Sequence, residues 1–388
     1  MSEYSAWAEI NLNSISNNIK ELRNSINKST EIMAVVKANA YGHGAVKVAQ
    51  TAVNSGIKFL GVSRINEGIE LRNAGVSVPI LIFGYTPVKH IDKLLSFSLT
   101  QTLFSYEMAK LFSDAASMRK KDLKVHLKID TGMGRLGLCI SGDIDSEFFK
   151  SKLDSVVNSI SRVFTLPWLD IEGLYTHFAS ADSLDLTSAQ NQLHLFNIFI
   201  ENLEHKKIKF RLIHAANSAA ITRMPESHFD MVRSGIFIYG LHPSNSINLG
   251  QLKLTPAMMI KAMIIFKKEV PAGFKVGYGS DYITTKKTTI ATIPLGYGDG
   301  YSRQLSSKGS MLVNGIKVPI VGKVCMDLLM LDIGEVPHAA TGDEVVIIGK
   351  QKGNEISVNE VAEITQTVNY EIVSNMATRI PRVYIEVN

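Results

Sequence analysis

The stretch Ile32–Gly44, IMAVVKANAYGHG, decides how the chain folds. Its apolar half, Ile32 to Val36, is short and β-branched enough to be a buried strand. It stops at a lysine followed by small, polar and glycine residues. Lys37 therefore stands where a strand opens into a loop. Against an apolar wall its ammonium loses hydration, which favours the neutral amine, and a neutral amine can attack a carbonyl to form a Schiff base. Taken alone, a lysine snorkelling at a strand end is the commoner reading.

Outward from this stretch, a strand followed by a helical pattern recurs. Candidate strands are Phe59 to Ser63, Pro79 to Phe83, Thr100 to Phe104, Lys124 to Asp130, Asp170 to Thr176, Lys209 to Ile213 and Phe229 to Val232, and the lysine strand brings the set to eight. Helical patterns such as Ala45 to Asn54, Ile65 to Ala74, Tyr106 to Met118 and Ser188 to Leu203 lie between them. Parallel neighbours need crossovers, and right-handed crossovers curl the sheet toward closure, so the expected fold is α/β with an N-terminal (β/α)8 TIM-type barrel. From about Gly250 the texture turns to short β-rich runs separated by Gly and Pro: Met258 to Phe266, Thr288 to Pro294, Met311 to Val313, Lys317 to Val321, Glu344 to Ile348 and Arg382 to Val387. Only Val358 to Thr365 reads clearly as helix there. The expectation is a barrel over residues 1–249 and a C-terminal mostly β domain over 250–388, with an early strand at 6–12 able to pack with the second unit.

The 388 residues are 45% hydrophobic and 20% charged, the composition of a globular protein, and the length favours two units. Basic residues exceed acidic ones by 41 to 36, but the lysine pairs, Lys120-Lys121 among them, are scattered, which argues against nucleic acid as a partner. The opening MSEYSAWAEINLN has no secretory pattern, and no apolar run approaches a membrane span. The two cysteines, Cys139 and Cys325, lie far apart in sequence and suit a reducing compartment, so a cytoplasmic location is expected. The ten histidines form no ligand-spaced cluster, so no metal is expected.

VVKANAYGHG resembles the cofactor-lysine motif of the bacterial alanine racemase family, whose members use pyridoxal 5′-phosphate (PLP). The resemblance continues, in the family's order, through DTGMGRLG (Asp130 to Gly137), EGLYTHFASAD (Glu172 to Asp182), HAANSAA (His214 to Ala220), VGYG (Val276 to Gly279), GYGDGY (Gly296 to Tyr301) and VCMD (Val324 to Asp327). It implies PLP as cofactor, a small amino acid as substrate, and a homodimer with shared active sites making D-alanine for peptidoglycan.

Barrels of this kind work at the C-terminal ends of their strands and often hold phosphate after strands seven and eight. There the chain has His214-Ala215-Ala216-Asn217-Ser218 and Arg233-Ser234-Gly235-Ile236. The resemblance gives Ser218, Gly235 and Ile236 to the cofactor phosphate, with Asn217 beside them and the phenols of Tyr41 and Tyr370 assisting; a helix cap is a compatible role for Ser218. Arg233 matches an arginine at the pyridine nitrogen, where a cation disfavours ring protonation and makes the cofactor a weaker electron sink, so that reprotonation outruns transamination. Arg135 matches the contact to the cofactor's phenolic oxygen and the substrate carboxylate. In Val125-His126-Leu127-Lys128-Ile129-Asp130, alternation puts His126, Lys128 and Asp130 on one face, pointing into the barrel. Lys128 would then lie near Arg135, a costly pair, which the family resolves by carbamylating the matching lysine.

Racemisation removes a proton from one face of the α-carbon and returns it on the other, which two fixed bases do directly. The resemblance assigns Lys37 to one face and Tyr278, donated by a second subunit, to the other, with His177 linking Arg233 to Tyr278. Cys325, Met326 and Asp327 would close the substrate pocket, with the Met326 backbone N–H at the substrate carboxylate. Tyr297, Tyr301, Arg303, Asp182 and His214 match an access corridor that Tyr297 and Tyr370 narrow. Asn11 stands where the family usually has aspartate, and Lys323 where many members have arginine. The segment Phe148 to Trp168 looks longer than usual and is expected as a surface excursion. Rival readings are a serine, lysine or broad-specificity racemase, a PLP-dependent decarboxylase, and a non-catalytic PLP carrier; VCMD and Arg233 disfavour the decarboxylase, and the β domain with Tyr278 disfavours the carrier.

Overall fold

The computed structural model describes residues 3–243, 252–336 and 338–386. The chain starts with β1 (Ala6–Asn11), and the Asn11 side chain caps the following helix, Leu12–Ser25, by accepting the Ser14 N–H at 3.0 Å. Eight strands then form the barrel: β2 (Glu31–Val35), β3 (Phe59–Val62), β4 (Ile80–Ile82), β5 (Thr100–Leu103), β6 (Leu123–Asp130), and, after the short β7 (Leu138–Cys139) beside β6, β8 (Leu169–Tyr175), β9 (Leu212–His214) and β10 (Met231–Ser234). They lie in the order β10-β2-β3-β4-β5-β6-β8-β9, all parallel. The ring is nearly closed. Across the β9–β10 gap, Arg233 N donates to Ala216 O at 3.0 Å and Asp230 N to Ile213 O at 3.1 Å. Each of the eight expected strands is present within a few residues of its expected limits. Met33, Leu81 and Met231 pack together as an apolar cluster separate from the main core.

The segment expected as a surface excursion is a barrel helix instead. Glu147–Val163 buries Phe149, Leu153, Val156, Val157, Ile160 and Val163, and it packs beside the helices Tyr106–Arg119 and Thr187–His205. Its apolar residues recur at helical spacing, so burying that face stabilises the helix where length alone suggested an insertion.

The C-terminal part is mostly β. One sheet carries, in order, Ile316–Pro319, Ser310–Val313, Glu344–Gln351, Met258–Met263, β1 and Arg382–Ile385, with Asn354–Ile356 added beside Glu344–Gln351. The first strand therefore belongs to this sheet, antiparallel to Met258–Met263 and parallel to Arg382–Ile385. A smaller sheet joins Phe266–Val270, Thr288–Ile293 and Leu329–Asp332. A second helix, Asn369–Ser374, follows the expected one at Val358–Ile364. The expected 249/250 boundary lies outside the described residues, as does Val387, the end of the last expected strand. No helix among the described residues is long and apolar enough to cross a membrane.

Candidate active site

At the C-terminal mouth of the barrel a cavity of about 470 Å³ is lined by Lys37, Tyr41, Lys128, Arg135, His177, Asp182, Asn217, Ser218, Arg233, Gly235, Ile236 and Tyr370, among others. The ends of β2, β4, β6, β8, β9 and β10 bring most of these residues together, and Tyr370 joins them from the helix Asn369–Ser374.

Lys37 leaves β2 into a left-handed turn. Ala38, Asn39, Ala40 and Tyr41 have φ of 52°, 53°, 52° and 50°, a conformation that costs a non-glycine residue about 1–2 kcal/mol. Side chains hold the turn: Glu67 accepts the Ala38 N–H at 2.6 Å, and Asn39 Oδ1 accepts the Ala45 N–H at 2.8 Å. Gly42 closes it at φ 82°, where a Cβ would lie 2.0 Å from Val373 O. The Lys37 amine has its pKa lowered, first by burial and then by Arg135, with Glu67 opposing. It is therefore inclined toward the neutral, nucleophilic form.

Tyr41 stacks on Tyr239, ring centroids 5.0 Å apart, and Tyr239 Oη donates to Val35 O at 2.8 Å, so the phenol is fixed to the end of the lysine strand. Burial raises the pKa of both Tyr41 and Tyr370, which keeps them protonated donors. Ser218 does not cap its helix. Asn217 does, accepting the Ala220 N–H at 3.1 Å, and the Ser218 hydroxyl instead accepts the Gly235 N–H at 3.0 Å. A Cβ on Gly235 would stand 2.6 Å from Tyr41 Oη. Bare backbone, a hydroxyl and two phenols beside it are the donor set that an oxyanion such as a phosphate needs.

Asp130 shapes the loop that carries Arg135. Its carboxylate accepts the N–H groups of Gly132, Met133, Gly134 and Arg135 at 2.8 to 3.1 Å. Burial pushes the Asp130 pKa up, but these bonds outweigh it and bring it below the usual carboxylate value. Lys128 is buried with its Nζ 5.3 Å from the Tyr175 ring centre. Burial, then the neighbouring Arg135 and Arg233, push its pKa down to about 8.

Arg233 is fully enclosed. It donates to Thr176 O and Ala215 O, each at 2.8 Å, and contacts His214 Nδ1 at 2.8 Å and His177 Nδ1 at 3.2 Å. Burial lowers its pKa to about 10, so it stays charged at neutral pH. His177 has its pKa held well below the ordinary value, first by burial and then by Arg233 and Lys128.

Other expected site residues lie elsewhere. Tyr278 is 72% exposed and lines a second hollow, of about 600 Å³, with Cys325, Met326 and Asp327. Asp327 pairs with Arg379 at 2.7 Å, and Lys323 with Asp281 at 2.7 Å. Tyr297 is half-exposed and lines a third hollow with Tyr301, whose ring is buried, while Arg303 is exposed near Cys325. His214, expected along the corridor, is fully buried beneath Arg233 instead. Two neighbours of the site carried no motif: Glu67, an ordinary helix glutamate in sequence, and Tyr239, whose role follows only from packing.

Fold and site together define a barrel-plus-β protein with an oxyanion cradle, a strand-end lysine of depressed pKa and an enclosed arginine at one mouth. The model of the alanine racemase N-terminal domain matches residues 10–243, and that of the alanine racemase C-terminal domain matches 257–384. Alanine racemases from Carboxydothermus hydrogenoformans and Desulfosudis oleivorans are each 45% identical to the chain, covering 98% of it and 99% of the former, and 99% of it and 97% of the latter. Alanine racemase from Clostridium difficile 630 superposes with a TM-score of 0.91 at 35% identity, covering 100% of this chain and 97% of that one. That from Bartonella henselae, described with covalently bound pyridoxal phosphate, superposes at 0.84 and 28% identity, covering 98% and 100%. The chain belongs to the alanine racemase family, a PLP-dependent family.

Proposed function

We propose that this chain interconverts L-alanine and D-alanine by passing the α-proton between two bases, with PLP in the barrel mouth, and so supplies D-alanine for peptidoglycan in the cytoplasm. The observation that carries this reading is the pairing, in one cavity, of the depressed Lys37 amine with the cradle of Ser218, Gly235, Ile236, Tyr41 and Tyr370. Bound there, PLP would supply the electron withdrawal that loosens the α-proton of an attached amino acid.

The remaining work falls to the chain. Lys37, at the strand end with its pKa lowered, would hold the cofactor through its amine and act as the proton-transferring base on one face of the substrate α-carbon. Ser218, the Gly235 and Ile236 backbone and both phenols hold the phosphate, with Asn217 fixing the helix start behind them. Arg233, a donor at neutral pH, would face the ring nitrogen and disfavour its protonation. Arg135 binds the substrate carboxylate. Lys128, at a pKa of about 8, has enough neutral amine to attack CO2, losing one proton and becoming an anion between Arg135 and Arg233. Carbon-13 bicarbonate giving no carbamate resonance that disappears in Lys128→Ala would refute this last step.

Tyr278 serves the second face from a second copy of the chain. Its exposure, in a hollow shared with Cys325, Met326 and Asp327, supports a face completed by another protomer. His177 links that phenol to Arg233, the Met326 N–H meets the substrate carboxylate, and Tyr297, Tyr301, Arg303, Asp182 and Tyr370 shape the approach. The barrel unit, 1–249, holds the cofactor, and the 250–388 unit completes its partner's site. The test is incubation with L-alanine, L-serine and L-lysine separately in D2O, following Cα deuterium and D-enantiomer together. Alanine should lead; carbon dioxide release, or faster turnover of serine or lysine, would move the assignment.

A further inference from the structure

Below the cavity floor a row of buried polar groups continues from Arg233 into the barrel. Arg233 Nη1 lies 2.8 Å from His214 Nδ1, His214 Nε2 lies 3.0 Å from His126 Nδ1, and His126 Nε2 lies 3.4 Å from Glu172 Oε2. All four side chains are buried. The donor inventory fixes every proton along the row. A guanidinium only donates, so His214 Nδ1 accepts and the His214 proton sits on Nε2. That proton is given to His126 Nδ1, which places the His126 proton on Nε2, facing a carboxylate that only accepts.

The barrel is shaped around this row. The β6–β8 ladder shifts register between Val125 and His126, a local irregularity of the kind that re-aims a side chain. Gly173 of β8 leaves room for the imidazole, since a Cβ there would stand 2.4 Å from His126 Nδ1. The Tyr175 ring lies flat on His214, centroids 4.7 Å apart at 6°, and Tyr175 Oη meets Thr102 Oγ1 at 3.0 Å.

The charges agree with the proton count. Burial lowers the pKa of His126 and holds that of His214 well below its ordinary value, so both rings are neutral. Glu172 is raised by burial, but its bonds from His126 and Arg211 prevail and bring it to about 2. The charged groups facing the row are Arg233 and Lys128 at His214, and Lys124, Arg211 and Glu172 at His126. A buried cation and a buried carboxylate thus sit at opposite ends of one polarised hydrogen-bond chain.

We propose that Glu172 is a positioning residue for the racemisation, fixing through His126 and His214 the tautomers that hold the Arg233 guanidinium in place. Without an acceptor at 172 the row can reverse. His126 Nδ1–H would donate to His214 Nε2, and the His214 proton would move to Nδ1, where it meets a guanidinium N–H. Two donors cannot share a 2.8 Å contact, so the guanidinium turns away. This inference rests on the proposed function for the cofactor ring beside Arg233; the histidine tautomers do not depend on it.

The test is long-range proton–nitrogen NMR on nitrogen-15-labelled holoenzyme between pH 6 and 8, on wild type, Glu172→Leu and Glu172→Gln. Wild type should show both imidazoles neutral with the proton on Nε2. Glu172→Leu should move the His214 proton to Nδ1, shift the absorption maximum of bound PLP and lower kcat by about tenfold or more with little change in KM. Glu172→Gln restores an acceptor and should recover the tautomers and most of kcat. A His214 proton on Nδ1 in wild type overturns the proposal, and so does a Glu172→Leu enzyme with wild-type tautomers. If Glu172→Leu does not fold, the wild-type and Glu172→Gln spectra decide alone. A wild-type protein with the expected tautomers but no racemase activity would refute the function and leave the proton row standing.

Discussion

The Glu67 carboxylate bridges the lysine turn and its neighbour: Oε1 accepts the Ala38 N–H at 2.6 Å, and Oε2 accepts those of Ser63 and Arg64 at 2.7 and 2.8 Å. It thereby pins a turn whose four left-handed residues would otherwise relax toward ordinary φ. Glu67→Ala removes all three of these hydrogen bonds. The expected loss is about 1–2 kcal/mol in urea unfolding, in line with partly exposed donors left without a charged partner, together with weaker PLP uptake. Unchanged stability and uptake would mean the turn holds itself.

Gly235→Ala tests the cradle without removing a donor. The added methyl would stand 2.6 Å from the Tyr41 hydroxyl, which is fixed through Tyr239, so one of the two must shift. PLP affinity should fall about tenfold or more, beyond the loss of about 1–3 kcal/mol that overpacking itself costs the cofactor-free protein in urea. Equal affinity in a titration of cofactor-free protein would place the phosphate elsewhere.

Buried neutral histidines give stability a definite acid slope. His126, His177 and His214 have folded pKa values below the ordinary 6.5, and burial takes His43 to about 4. The unfolded chain therefore binds more protons as pH drops below about 6.5, so this stability is complete above that pH and is lost as acid is added. Each such histidine contributes a slope of up to about 1.4 kcal/mol per pH unit. Urea midpoints of the cofactor-free protein should be level from pH 7.5 to 7 and fall steadily from 6.5 to 5. A midpoint that stays level in that window would mean these rings are charged or exposed.

The barrel was legible because strands such as Ile32–Val36 and Val125–Asp130 carry their burial pattern in their own residues, and glycine or polar residues mark their ends. The left-handed turn after Lys37 was not. Ala38, Asn39 and Ala40 have no local preference for positive φ strong enough to declare it, and its stabiliser, Glu67, comes from the next helix. In Phe148 to Trp168 the extra length suggests an insertion, whereas the helical spacing of Phe149, Leu153, Val156 and Ile160 is what buries the segment against the barrel. The burial of His214 beneath Arg233 was not legible because a motif gives order along the chain, whereas that burial depends on the stacking of Tyr175 and on His126, for which Gly173 leaves room. Tyr278 illustrates the opposite case: it lies outside the barrel cavity, and only the proposed two-base chemistry gives it a place.

The most direct test of the shared-site account is subunit complementation. Lys37→Ala and Tyr278→Phe proteins, each purified separately, are denatured together, refolded with PLP and assayed for alanine racemisation. Each parent alone should be lower by at least about a hundredfold, the usual scale for loss of a general base. If Tyr278 serves the neighbouring barrel, random pairing makes half of the dimers mixed, each with one intact site, and roughly a quarter of wild-type activity should return. No recovery, with mixed dimers verified by mass, would contradict a phenol and an amine from different protomers acting on the same α-carbon.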